Sequence, residues 1–349
     1  MDLACLISAR NLGDAVGHAQ ALEQLAARRY ARRFLVWTKP ESAFLFEKIS
    51  DCDVVTCRFP IGTATRFAPS DLAALWRAGR EVRRRVPDVT IDLVGDVRER
   101  WLARLAGSRR HLHIGWAADH PYANLIRNPF GPGRPTVTIP ASLPNVYAAQ
   151  DLFVRTLCGN VAATGHRIAP KPLSARMRIG LHPFASQNCK LWPLQNWEAL
   201  AGSLLSAGHR LTAFAAPSEL AQLRDACGRH VDDVALVTRP LREFDDAVAA
   251  LDLMIGLDSF SVHIAHRHAV RTIMLNAGNP PTLWQPPEGA TLCAGSLCAR
   301  HPCYNVPRCE KGKRFICIRG LTVERVVDEV AQILARDRAS ADILVEAPR

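Results

Sequence analysis

The stretch 251–268, LDLMIGLDSFSVHIAHRH, decides how the rest of the chain is read. Its apolar run Leu253-Met254-Ile255-Gly256-Leu257 has the length of a buried strand. Asp258 and Ser259 follow directly, and Val262, Ile264 and Ala265 then fall into a helical pattern. A strand that ends in polar residues and feeds a helix leaves unpaired backbone N–H groups and a positive dipole end at the strand's carboxyl edge. Phosphate binds well there. Asp258, Ser259 and His263 are expected at that mouth. The plain structural alternative makes Asp258 a helix cap and His263 a packed helix histidine.

Strand and helix alternate on both sides of this stretch. In the first half, strands are expected at 3–8, 34–37, 53–56, 89–94 and 111–115, with helices at 15–28, 69–85 and 98–105. The second half repeats the pattern with strands at 178–182, 210–214, 236–237, 253–257 and 272–275, and a last amphipathic helix over 322–336. This predicts an α/β protein of two doubly wound, Rossmann-like domains facing each other across a ligand cleft. The expected boundaries are 1–164 for the first domain, 165–177 for a linker and 178–335 for the second domain, with a frayed tail over 336–349. The linker is placed by GHRIAPKPLSA, where two prolines flank a lysine without periodicity. Residues 119–144, rich in Pro, Gly, Asn and Arg, read as a long loop over the cleft. The first turn, Arg10-Asn11-Leu12-Gly13-Asp14, lacks the GxGxxG dinucleotide pattern.

The chain has 349 residues, 48% hydrophobic and 22% charged, which suits two folded domains and argues against disorder. No apolar run approaches the ~20 residues of a membrane span. The N-terminus, MDLACLISARNLGD, has no basic region before its apolar run, so a cytoplasmic protein is expected. The net charge is +11, with much arginine between residues 77 and 110. Solvated helix faces account for such a surface, and so does an anionic membrane or acceptor. There is no RNP-like aromatic pattern or zinc-finger spacing, so nucleic acid is not expected as a partner.

Four polar clusters fall at predicted strand ends: Asn11–Asp14, Ser186–Lys190, Ala216–Glu219 and Asp258–His263. Three of the segments that carry them, ARNLGDAV (9–16), HPFASQNCKLWPLQNW (182–197) and LDSFSVHIA (257–265), together resemble glycosyltransferase family 9, the ADP-heptose:lipopolysaccharide heptosyltransferases of the two-domain GT-B fold. The resemblance runs over nearly the whole chain. It implies an inverting transfer of a heptose from ADP-heptose to a lipopolysaccharide-type or related glycan, with no catalytic cofactor. It implies that Asp14 is the general base, with Asn11 and Gly13 on the acceptor side. Lys190 would meet the donor diphosphate, and Ser186, Asp258, Ser259, Ser261 and His263 would lie at the donor's phosphates and sugar. Glu219 would bind the ribose; its alternative is a first-turn helix acid. One departure stands out. The family has a small residue two positions after the aspartate, where this chain has Phe260. That ring either points away or narrows the pocket, which leaves room for another nucleotide sugar, for a GT-B epimerase, or for a non-catalytic binding protein.

Eleven cysteines in a chain with no export signal read as thiols rather than disulfides. Five of them, Cys293, Cys298, Cys303, Cys309 and Cys317, share one segment, 293–317. Their spacing lacks the tight Cys-x₂-Cys knuckle, and free thiols stand beside a structural zinc or iron as readings of it. Certain relatives in the family carry iron on cysteines in this region.

Overall fold

A computed structural model describes residues 1–61, 68–126, 128–129, 133–159 and 172–346, with side chains as far as 339. The chain divides into two compact units, Met1–His166 and Arg167–Arg349. The expected linker 165–177 lies partly outside the described residues.

The first unit runs β1 (Leu3–Ser8), α1 (Leu12–Ala27), β2 (Arg33–Thr38), β3 (Cys52–Thr56), α2 (Pro69–Arg84), β4 (Val89–Asp92), α3 (Val97–Ala106), β5 (Arg110–Trp116), β6 (Val137–Ile139) and α4 (Val146–Cys158). Its six strands are parallel in the order β3-β2-β1-β4-β5-β6. The chain winds outward from β1 through β3, then returns to the other side of β1 and winds outward again. That reversal leaves a crevice at the carboxyl ends of β1 and β4, where ligands of doubly wound sheets bind.

The second unit repeats the design. It contains β7 (Arg178–His182), α5 (Leu194–Ser206), β8 (Arg210–Phe214), α6 (Leu220–Cys227), β9 (Val234–Val237), α7 (Leu241–Ala249), β10 (Leu253–Leu257), α8 (Phe260–Arg267), β11 (Arg271–Leu275), β12 (Ala290–Leu292), α9 (Ile316–Arg319) and α10 (Val323–Glu346). The strand order is β12-β11-β10-β7-β8-β9, all parallel, with the reversal between β7 and β10. Every residue of β10 is buried, as expected for a central strand covered on both faces. Gly256 lets α8 fold back closely on its own strand: a Cβ would come within 2.9 Å of Ser261 Oγ and force that side chain to shift.

Three expectations are corrected. The loop over 119–144 is not without structure. It holds the 3-10 turn Pro121–Leu125 and then β6, whose Ile114↔Val137 register extends the sheet. β6 and β12 are three residues each, too short to show alternation in sequence. The strand expected over 89–94 stops at Asp92, because Asp92 Oδ1 accepts the N–H groups of Val94 and Gly95 and turns the chain. The terminal helix does not fray at 336 but runs to Glu346. Asp337 within it accepts the Leu173 N–H at 2.7 Å and pairs with Arg271, which ties the helix to the unit.

The second core is anchored by Trp192 and Trp197, buried and packed edge-to-face at 5.3 Å. Trp192 Nε1 donates to the Leu321 carbonyl at 2.8 Å, so the loop after β7 is tied to the chain entering α10. Replacing Trp192 by Ala removes this ring and its hydrogen bond. A loss of about 3–5 kcal/mol is expected, read as a lower urea midpoint.

Candidate functional site

The site in the second unit is built at its strand reversal. The loop after β7 is held down by Trp192 and presents Lys190; the end of β10 presents Asp258. Lys190 Nζ lies 2.9 Å from Asp258 Oδ2 and donates to the Asp258 carbonyl at 2.8 Å. Both side chains are largely buried, at 15% and 6% exposure. Asn279 Nδ2, beyond the end of β11, donates to the same Oδ2 at 2.9 Å. Burial alone would push the Asp258 carboxyl up. The charge and hydrogen bond of Lys190, with His263 and Asn279, overcome that and hold it below the usual carboxylate range.

Asp258 is therefore not the cap of α8. Ser259 occupies that position, and its Oγ lies 3.3 Å from Ser261 Oγ. The first N–H groups of α8 have no intrahelical acceptor and face the end of the sheet. His263, one turn along, is buried against the Trp284 ring. Burial brings its imidazole down to about 4, with Asp258 pulling upward and Lys190 downward. At neutral pH His263 is thus uncharged, and the positive charge here belongs to Lys190.

Phe260 opens α8, and its ring enters an aromatic cluster of its own unit. It lies 5.3 Å from the His182 ring and 5.2 Å from Phe244, which in turn meets Phe214 at 5.1 Å. Of the remaining residues expected on the donor side, Ser186 is exposed in the loop between β7 and Lys190. Glu219 closes the turn after β8, where its Oε2 accepts the Ala216 N–H at 2.9 Å. Lys190, Asp258, Ser259, Ser261 and His263 thus converge, while Ser186 and Glu219 stand at the same sheet edge without joining their contacts.

In the first unit, Asp14 sits in the first turn of α1 and its Oδ2 accepts the Asn11 N–H at 3.2 Å. Gly13 and Asp14 are partly exposed and Asn11 is exposed. Behind this turn lies a buried ionic cluster that was not among the expected site residues. Arg10 binds Glu99 through Nε at 2.7 Å and Nη2 at 3.2 Å, and pairs with Asp96 at 2.9 Å. Both carboxylates are fully buried. Burial alone would lower the Arg10 guanidinium, but Glu99 and Asp96 hold it firmly protonated. Burial pushes Asp92 up to about 6, and it pushes Glu99 up to about 7 against the pull of Arg10. One arginine thus faces three acids at the first unit's strand reversal. The sequence signal was present in the spacing of Asp92, Asp96 and Glu99 across a strand end and a helix start. Asn279 was signalled in the same way by its polar run after β11.

The cysteine segment folds against the second core. Cys298, Cys303, Cys309 and Cys317 line one small cavity with His301. Cys293 is directed elsewhere, to His301 Nε2 at 3.6 Å and to the carbonyls of Ala277 and Cys317. All eleven cysteines are free thiols. Among the described residues, no three His, Cys, Asp or Glu side chains are arranged to hold a metal ion.

A model of glycosyltransferase family 9 (heptosyltransferase) matches residues 75–312, well over half of the chain. The chain belongs to glycosyltransferase family 9. Three solved structures share its fold. The glycosyltransferase family 9 protein of Veillonella parvula has 14% identity and a TM-score of 0.65 over 96% of this chain and 97% of its own. Escherichia coli ADP-heptose lipopolysaccharide heptosyltransferase II has 15% identity and a TM-score of 0.62, over 97% and 100%. Escherichia coli heptosyltransferase WaaC, solved with ADP, has 16% identity and a TM-score of 0.63, over 95% and 99%. No curated protein matches by sequence. The two parallel six-stranded sheets with flanking helices are the GT-B architecture, and the protein is a glycosyltransferase. No helix among its described residues is long and apolar enough to cross a membrane.

His263 gives this glycosyltransferase a measurable acid response. Its folded value of about 4 lies below the ordinary 6.5, so the stability it contributes is present above pH 6.5 and is lost as pH falls toward 4. Denaturant midpoints across that window should fall less steeply for His263→Asn than for the parent chain.

Proposed function

We propose that this glycosyltransferase moves a heptose from ADP-heptose to a lipopolysaccharide-type or related glycan, with inversion at the anomeric carbon. The observation that carries the donor side is the buried Lys190–Asp258 contact at the strand reversal, beside the start of α8. In this reading the donor diphosphate takes Lys190 as its cation and the α8 N–H groups as donors. Ser186, Ser259 and Ser261 add hydroxyl contacts, neutral His263 lies at the donor's phosphates and sugar, and Glu219 meets the ribose. Support for ADP-heptose comes from the relatives: WaaC was solved with ADP and, in a second structure, with ADP-2-deoxy-2-fluoro heptose.

Asp14, flanked by Asn11 and Gly13 on the acceptor side, takes the proton of the acceptor hydroxyl. The resulting oxygen attacks the anomeric carbon from the face opposite the ADP, through an oxocarbenium-like transition state. The bond to the leaving diphosphate breaks as the new glycosidic bond forms, and Lys190 offsets the charge that develops on ADP. No catalytic cofactor is called for. The acceptor in this reading is lipid-linked and is met in the cytoplasm at the inner face of the membrane; nucleic acid has no part in it. A structural zinc or iron on Cys298, Cys303, Cys309 and Cys317 has support from their shared cavity and none from their present spacing. One ion per purified chain would establish it, and less would remove it.

The second reading, another nucleotide-sugar donor, is motivated by Phe260 at the start of α8. Thermal unfolding with ADP, UDP, GDP and CDP separates the two. A nucleotide at about 100 times its dissociation constant stabilises by about 2.7 kcal/mol, and ADP alone is expected to raise the midpoint. A shift with UDP or GDP instead would transfer the reading to a different donor. Lys190→Ala should weaken ADP binding by about ten-fold or more, the cost of a charge-assisted bond. Asp14→Asn should cut ADP release from ADP-heptose, with truncated lipopolysaccharide as acceptor, by at least about 100-fold with ADP binding retained.

A further inference from the structure

The outer face of the α2–α3 layer in the first unit is apolar and basic at once. Leu72, Trp76 and Trp101 are 61%, 54% and 53% exposed, well beyond what a packed helix pair requires. α2 and α3 both follow strands of a parallel sheet and cross it on the same side, so they run parallel. Their point of approach is Gly79, where a Cβ would lie 3.6 Å from Leu105 Cβ. Trp76 is one turn before Gly79 and Trp101 one turn before Leu105. The two indoles therefore stand at the same level on neighbouring helices, with Leu72 a further turn toward the carboxyl edge of the sheet. That is the edge at which Asp14 lies.

The same face of α2 carries Arg77, Arg80 and Arg84, all exposed. None of the three has a carboxylate partner among the described residues, whereas Arg85 next to them is paired with Asp53 and Glu81. Exposed tryptophans among unpaired arginines suit one environment: the boundary of an anionic bilayer. There the indole sits at headgroup depth and the guanidinium groups meet lipid phosphates.

We propose that Leu72, Trp76 and Trp101, with Arg77, Arg80 and Arg84, form the surface by which this protein docks on an anionic lipid membrane. Docked so, the carboxyl edge of the first sheet is brought to the membrane, where a lipid-linked acceptor resides; in this purpose, though not in the binding itself, the proposal rests on the acceptor reading above. The occupant is the lipid surface itself, because the patch joins apolar area to a one-sided positive charge.

The test is co-sedimentation of the full chain with phosphatidylglycerol–phosphatidylethanolamine vesicles, and with phosphatidylcholine vesicles as control. Anionic vesicles should be bound selectively, less so as salt is raised. Trp76→Ser with Trp101→Ser should weaken binding by about ten-fold or more. Arg77→Ser, Arg80→Ser and Arg84→Ser should each cost about five-fold. Both sets lie on the surface and should keep the parent's unfolding midpoint and its response to ADP. Failure to bind anionic vesicles, or equal binding by the variants, overturns the proposal. So does arginine-dependent binding of duplex DNA without vesicle binding, or a dimer that the tryptophan changes split without any lipid effect. Vesicle binding with no nucleotide response would leave this proposal standing and sink the donor reading alone.

Discussion

The carboxyl edge of the second sheet depends on an ion pair that has been taken out of water. Lys190 and Asp258 come from different strands of the second sheet and meet where the winding reverses. Removing either partner strands a buried charge, which typically costs 3–5 kcal/mol. The pair therefore persists only because the surroundings hold it. Trp192 pins the loop that carries Lys190, and Asn279 fills one lobe of the Asp258 carboxylate. Asp258 acts as a built-in counter-ion that holds the Lys190 ammonium in place. In the proposed transfer, a preplaced cation of this kind would need little reorganisation as charge develops on the leaving group.

The first unit solves a related problem with the opposite balance. Arg10 is the single cation facing Asp92, Asp96 and Glu99, and burial raises Asp92 and Glu99 toward neutrality. Arg10 precedes the turn that bears Asp14. Its two buried salt contacts fix the start of α1 against α3, so the turn inherits its orientation from the ionic cluster. The Asp14 carboxylate also closes the first turn of its own helix by accepting the Asn11 N–H. The cap restrains the Asp14 rotamer, which is compatible with the base role proposed for it.

Phe260 shows how a departure from a family pattern is resolved by packing. An exposed phenyl ring at a helix start would leave a large apolar area in water. Here the ring lies 5.3 Å from His182 and 5.2 Å from Phe244, and Phe214 backs Phe244 at 5.1 Å, so it joins an aromatic cluster. The backbone of α8 keeps its N-terminal N–H groups at the end of the sheet.

The sequence by itself determined the two doubly wound units, because buried parallel strands are continuous apolar runs and the polar residues that follow them mark the carboxyl edge. It also marked Lys190, Asp258, Ser259 and His263 as neighbours through the motifs at 182–197 and 257–265. What it did not determine was pairing at long range. That Asp258 would serve Lys190 and Asn279 rather than cap α8, that Arg10 would meet Glu99 eighty-nine residues away, and that Phe260 would find His182 follow only from strand order and packing. Strands as short as β6 and β12 were beyond it for the same reason. Three residues carry too little periodicity, and such strands form because a neighbouring edge offers hydrogen bonds that exist only in the folded chain.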